Sequence, residues 1–185
     1  MEQDQSPSFE VEPGSTLSDI LAVIESAKAR GGMDGLRTYI AKMLPEAEES
    51  EGAEAAEVSL EIIESIPIFL ARARQEATNR KLSSVVNPLL NHAEAYYLQP
   101  MDLIPEMTQG LAGLLDDSYL VLRILENLER GPDAFLDWDL DYPIRFLRAL
   151  VGPPIAQRLD IIAIQAMEDV SDHLSELWTR MSHPA

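Results

Sequence analysis

Between Tyr96 and Asp117 the chain reads YYLQPMDLIPEMTQGLAGLLDD, and this stretch limits the fold more than any other. Pro100 stops a preceding helix, because the residue before a proline avoids the α region. Asp102 is placed to cap a new turn, and Pro105 is tolerable in a first turn, where its missing N–H has no helical partner to lose. Gly110 and Gly113 permit a tight reversal or a close approach of two helices. Apolar patterns of helical period lie on both sides. The stretch therefore predicts the elbow of a helical hairpin, braced by Tyr96 and Tyr97.

Elsewhere the pattern is helical without a period-two run, which predicts an all-α helical bundle built around that hairpin. Met1–Gly14 reads as a disordered acidic tail ended by Pro13-Gly14. Thr16 reads as the N-cap of a helix to about Arg30, with Ile20, Leu21, Ile24 and Ala27 as its apolar stripe. A second helix is expected from Asp34 to Leu44. Glu46–Glu57 is crowded with glutamates and reads as a solvated loop or frayed helix, firming from Ala53. Pro67 should kink or restart that helix. Further helices are expected over Leu82–Leu98, Leu111–Glu129, Ile144–Val151 and Pro154–Met181. The regions 15–81, 82–130 and 131–185 then form one compact domain.

Charge removes several functions. The 185 residues carry 14 Lys and Arg against 32 Asp and Glu, a net charge of -18. Phosphate contacts need clustered cations, so nucleic-acid binding is not expected. Arg72, Arg74, Arg80 and Lys81 concentrate much of the positive charge; they read as partners for nearby glutamates, with a basic contact patch as the other option. There is no cysteine, hence no disulfide framework or thiolate chemistry. The acidic N-terminus does not resemble a secretory signal, and no apolar run approaches the roughly 18 residues of a membrane span, so a cytoplasmic protein without an integral membrane segment is expected.

The Asp116–Asp117 pair is the chemically informative part of the elbow. On a helical wheel Asp117 lies about 60° from Leu114, at the edge of the stripe formed by Leu114, Val121, Leu125 and Leu128. Asp116 points instead to the side of Arg123 and Asn127. A carboxylate on an apolar border needs a partner. One reading is a lock, with Asp117 accepting elbow N–H groups or pairing with an arginine. The alternative is a Mg, Ca or Mn site built from Asp102, Glu106, Asp116 and Asp117.

Tyr97, Pro100, Asp102, Ile104, Pro105, Glu106, Gly113, Asp116 and Asp117 together resemble the signature of the YkvA-like family, small bacterial helical domains of unknown function. That signature is an aromatic, then P-x-D-x-[IL]-P-[DE], then a glycine before an Asp-Asp pair. The resemblance covers about residues 82–128. Met107–Gln109 replaces a proline usual in the family, and the spacing to Asp-Asp is one residue longer. The resemblance implies a helical hairpin with an acidic elbow and brings no activity with it.

No Ser–His–Asp arrangement, phosphate-cradling glycine loop or H-E-x-x-H motif occurs. His92 reads as an edge histidine. Asp169, His173 and Glu176 share one helix edge, where a hydrogen-bonded histidine is expected ahead of a metal or pH-switch role. Phe135, Trp138, Asp139, Tyr142 and Phe146 lie in a run of alternating acids and aromatics. They form the candidate partner-binding surface if they are exposed. The leading expectation is a non-enzymatic interaction or regulatory protein that binds a protein partner, a basic one by charge, without cofactor. The alternative is a metal-binding domain or metal-dependent enzyme using the elbow carboxylates.

Overall fold

The computed structural model describes residues 13–99, 110–129 and 135–182, with the side chains of 13–16 and 173–182 excepted. Seven α-helices are present among the described residues: α1 (Pro13–Ala29), α2 (Gly32–Met43), α3 (Glu49–Asn79), α4 (Ser83–Leu98), α5 (Leu115–Glu126), α6 (Asp141–Val151) and α7 (Pro153–Ser182). Helix α5 is entered through a 3-10 turn, Leu111–Leu114, and left through another, Asn127–Glu129. The all-α bundle expected from the pattern is present. No described helix is long and apolar enough to cross a membrane.

Helix α5 is the axis. It packs against α3, α4, α6 and α7. Every residue from Leu115 to Leu122 is buried, as are Ile124 and Leu125. A helix apolar nearly all round is stable only where neighbours cover every face. Long helices supply that cover: α3 brings Ile62, Ile63, Ile66 and Leu70, α4 brings Val86, Leu89, Leu90 and Ala93, and α7 brings Ala156, Leu159, Ala163 and Ala166. Helices α4 and α5 pack as the two arms of the expected hairpin, with Tyr97 fully buried and Tyr96 half-buried at the end of α4.

Several sequence boundaries are corrected. Helix α1 begins at Pro13, so Pro13 and Gly14 belong to the helix and Thr16 is not its N-cap. Proline suits a first helical position because its absent N–H would be unpaired there anyway. Helix α3 begins at Glu49, within the expected glutamate loop, and runs without interruption through a buried Pro67. Its start is favoured because Glu51 Oε2 accepts the Glu48 N–H at 2.9 Å, and first-turn carboxylates complement the helix dipole. Helix α6 starts at Asp141 rather than Ile144. In α4, Pro88 lies past the first turn.

Two glycines have backbone geometry that other residues reject. Gly152, with φ of 88° and ψ of 149°, separates α6 from α7. Gly110, with φ of 89° and ψ of -165°, opens the turn into α5. Both lie in a region that is essentially restricted to glycine. Gly113 has no such positive φ, so Gly110 is the residue that carries the elbow's backbone demand. Across the bundle, the Tyr39 hydroxyl donates to the Leu150 carbonyl at 2.8 Å and ties α2 to α6.

Candidate functional site

The elbow and the Phe135–Phe146 segment are the two candidate sites; the second falls wholly within the described residues, the first only in part. At the elbow, Pro100, Asp102, Ile104, Pro105 and Glu106 lie outside them. Asp116 and Asp117 are described, and both are buried, at 4% and 3% exposure. Asp116, which the wheel sets on the side of Arg123 and Asn127, is buried as well, because the first turns of α5 are covered on every face. Both acids occupy the first turn of α5, where the positive end of the helix dipole offsets buried negative charge. Asp116 Oδ1 accepts the Asp117 N–H at 3.0 Å.

Next to the acids are two buried hydroxyls. Burial pushes the Tyr97 phenol well above its ordinary range, Ser118 lies beside it, and the charges of Asp117 and Asp116 act in the same direction as burial. The two hydroxyls are within reach of each other, and among the described residues neither has another hydrogen-bond partner. Among the described residues no three His, Asp or Glu side chains converge to hold a metal ion. His92 is half-buried on α4; the side chains of His173 and Glu176 lie outside the described residues.

The segment from Phe135 is anchored from both ends. The Leu136 N–H donates to Glu129 Oε1 at 2.7 Å, joining the segment to the 3-10 turn that follows α5. Burial raises the Glu129 carboxyl above its usual range and Asp137 adds to this, against the Leu136 N–H and the Arg80 charge. The Arg80 guanidinium sits over the Phe135 ring, 5.0 Å from its centroid. Trp138 meets Phe69 of α3 at 4.2 Å between centroids, tilted by 51°, and Arg72 lies 5.2 Å from the Trp138 ring. Asp139 Oδ1 accepts the Asp141 N–H at 3.0 Å at the start of α6. On α6, Tyr142 and Phe146 stack at 6.2 Å and 24°.

The five candidate contact residues therefore divide. Phe135 is buried and serves the core, which corrects its expected place on a partner-facing surface. Trp138 and Phe146 are half-buried, whereas Asp139 is exposed and Tyr142 is 55% exposed. An open cleft of about 290 Å³ lies where Trp138 and Leu140 sit among Glu126, Glu129, Asp139 and Asp141. On the α3 side of Trp138 lies a second cleft of about 340 Å³, bounded by Arg72, Gln75, Phe135 and Leu136 among others.

Sequence reasoning did not connect Phe69 with Trp138, nor Glu126 and Glu129 with Asp139 and Asp141. Phe69 is separated from Trp138 by the whole hairpin of α4 and α5, and only the fold brings them together. It also missed a polar knot joining three helices. Asp160 of α7 accepts from Tyr119 at 2.7 Å and Arg123 at 2.8 Å, both on α5, and from Arg148 of α6 at 2.7 Å. Arg148 also donates to the Tyr119 hydroxyl at 2.7 Å, and Arg123 pairs with Glu126. Only the Arg123–Glu126 spacing was readable in advance.

No family model matches the chain, and no curated protein or solved structure is similar to it.

Proposed function

We propose that this chain is a non-enzymatic interaction protein that binds a protein partner through the acidic, aromatic face around Trp138, Asp139, Tyr142 and Phe146. The observation that carries this reading is the cleft in which Trp138 and Leu140 are surrounded by four carboxylates, Glu126, Glu129, Asp139 and Asp141. An aromatic wall among carboxylates suits an arginine or lysine of the partner, since the ring attracts the cation and the exposed Asp139 pairs with it, while Glu126 and Asp141 are shared with Arg123 and Arg145. The exposed Tyr142 ring, stacked on Phe146, offers a neighbouring apolar contact. Tyrosine and tryptophan are enriched among residues that dominate binding energy. A net charge of -18 would speed encounter with a basic partner. The cysteine-free composition supports a cytoplasmic setting.

The test is parallel affinity capture with wild type, Tyr142→Ser, Asp139→Lys and a charge-matched control, Glu57→Lys on the exposed face of α3. A partner held by wild type and the control, released by raised salt and lost from both site variants is the expected result. An identical set of captured proteins from all four forms would sink the proposal.

The hairpin of α4 and α5 belongs to the same proposal as a YkvA-like hairpin. Support comes from Tyr97, Asp116 and Asp117, which are buried together at its elbow end. A divalent-cation site at this elbow is the second reading, favoured by the same burial of two carboxylates beside two hydroxyls. Thermal unfolding with chelator separates it from a lock.

A further inference from the structure

Among the described residues, Arg72 has an aromatic neighbour in place of a carboxylate. The acid one helical turn on, Glu76, is committed to Arg80, whose Nε donates to Glu76 Oε1 at 2.6 Å. Arg72 makes no ion pair among the described residues; its guanidinium lies instead over Trp138, 5.2 Å from the ring centroid. A cation–π contact engages the charge of the guanidinium without using its N–H donors, by which arginine can grip a planar carboxylate with two parallel bonds.

The surroundings supply the other half of a binding site. The cleft of about 340 Å³ beside Arg72 is lined by Gln75, Glu76 and Asp137 as well as by the half-buried Trp138 and the outer edges of the buried Phe135 and Leu136. Its size lies at the low end of the roughly 300–1,000 Å³ typical of small-molecule sites, which combine apolar walls with a few placed polar groups. The walls are held in place: Phe135 by Arg80, Leu136 by Glu129 and Trp138 by Phe69. The two acids at the rim differ. Glu76 is paired with Arg80, whereas the exposed Asp137 repels any negative charge on a ligand and leaves the Arg72 side as the place for a carboxylate.

We propose that this cleft binds a small organic monoacid, with an aromatic or branched body against Phe135, Leu136 and Trp138 and its carboxylate on Arg72. The site shares Trp138 with the proposed partner-binding face, whereas Arg72 lies outside that face. Arg72 provides both recognition and orientation, and the apolar walls select against small polar acids such as acetate.

The experiment is a heteronuclear NMR titration of the full chain at constant ionic strength, read at the indole N–H of Trp138 and assigned with Trp138→Phe. Benzoate and 3-phenylpropionate are the probes, with benzamide as the neutral comparison. Either acid is expected to shift the signal saturably, and benzamide not to. Arg72→Gln should weaken binding by about 10-fold or more, the loss of a charge-assisted pair. Arg72→Lys, which keeps the charge without the fork, should fall between. Tyr142→Ser should bind the acids as wild type does, even if it loses a protein partner. The inference is overturned by absence of a saturable shift with both acids, by an equal response to benzamide, or by unaltered affinity in Arg72→Gln.

Discussion

Arg74 of α3 and Glu94 of α4 meet as a forked ion pair: Nε donates to Oε1 at 3.1 Å and Nη2 to Oε2 at 2.6 Å. The same Nη2 donates to Asn91 Oδ1 at 2.8 Å. Glu94 is buried, at 6% exposure, so the pair holds a charge that α4 could not otherwise place against α3.

Removing one partner should cost more than removing both. Arg74→Met leaves the Glu94 carboxylate buried and unpaired, and should destabilise by about 2–4 kcal/mol. Arg74→Met with Glu94→Met should recover most of that loss, because apolar side chains of similar length fill the interface. Urea unfolding of both single variants and the double variant checks this. Equal losses in Arg74→Met and the double variant would remove the buried-charge argument.

The Asp160 knot should make stability depend on pH in the acid range. Burial acts to raise the Asp160 carboxyl, but hydrogen bonds from Tyr119 and Arg148 and the charge of Arg123 outweigh it and hold the group below its ordinary range. A carboxyl lowered on folding contributes stability that is present above its unfolded value of about 3.9 and is lost as pH falls through the folded value. Asp160→Asn should therefore cost about 1–3 kcal/mol at neutral pH, with the difference from wild type shrinking below about pH 4. Chemical denaturation across that range tests it; a difference independent of pH would contradict the linkage.

Tyr119 gives a companion expectation. Its phenol is pushed up to about 12 by burial and by the Asp160 hydrogen bond and charge, against the neighbouring arginines. Tyr119→Phe should lose about 1 kcal/mol and should narrow the effect of Asp160→Asn, because the two groups share one network. A double-mutant cycle measures the coupling, and strict additivity would count against it.

Two backbone positions should respond in opposite directions. Helix α3 ends in a Schellman motif, with Leu82 N–H on the Ala77 carbonyl at 2.7 Å and Lys81 N–H on that of Thr78 at 3.1 Å. Lys81 holds the left-handed position, φ 58°, where glycine is usual. Lys81→Gly should stabilise by about 0.5–1 kcal/mol. Gly152→Ala should destabilise by about 1–3 kcal/mol, since φ of 88° with ψ of 149° is essentially a glycine conformation. Thermal melts of the two variants should move apart around wild type.

The elbow acids are tested by chelation. As locks, Asp116 and Asp117 should give the same unfolding midpoint in EDTA as in magnesium, calcium or manganese. A ligand that binds only the folded state must raise the midpoint. A rise of several degrees with one ion, absent in Asp117→Asn, would instead make the elbow a metal site.

The primary structure by itself determined that this chain is helical and approximately where its helices lie. Pro45 and Gly152-Pro153 interrupt helical periodicity through local backbone physics, and that information lies within a few residues of each break. The candidate stretch Phe135–Phe146 was legible as a composition of acids and aromatics, but not as a surface. Tertiary structure decided which of those rings point outward, burying Phe135 and exposing Tyr142. It also decided that both acids of the elbow are buried, because α5 is enclosed by α3, α4, α6 and α7, whereas a wheel can assign only one apolar face. The pairings of Arg74 with Glu94, Asp160 with Arg148 and Arg72 with Trp138 each cross between elements. Helical periodicity reports the direction of a side chain from its own axis. The partner it meets depends on how the helices are placed in space.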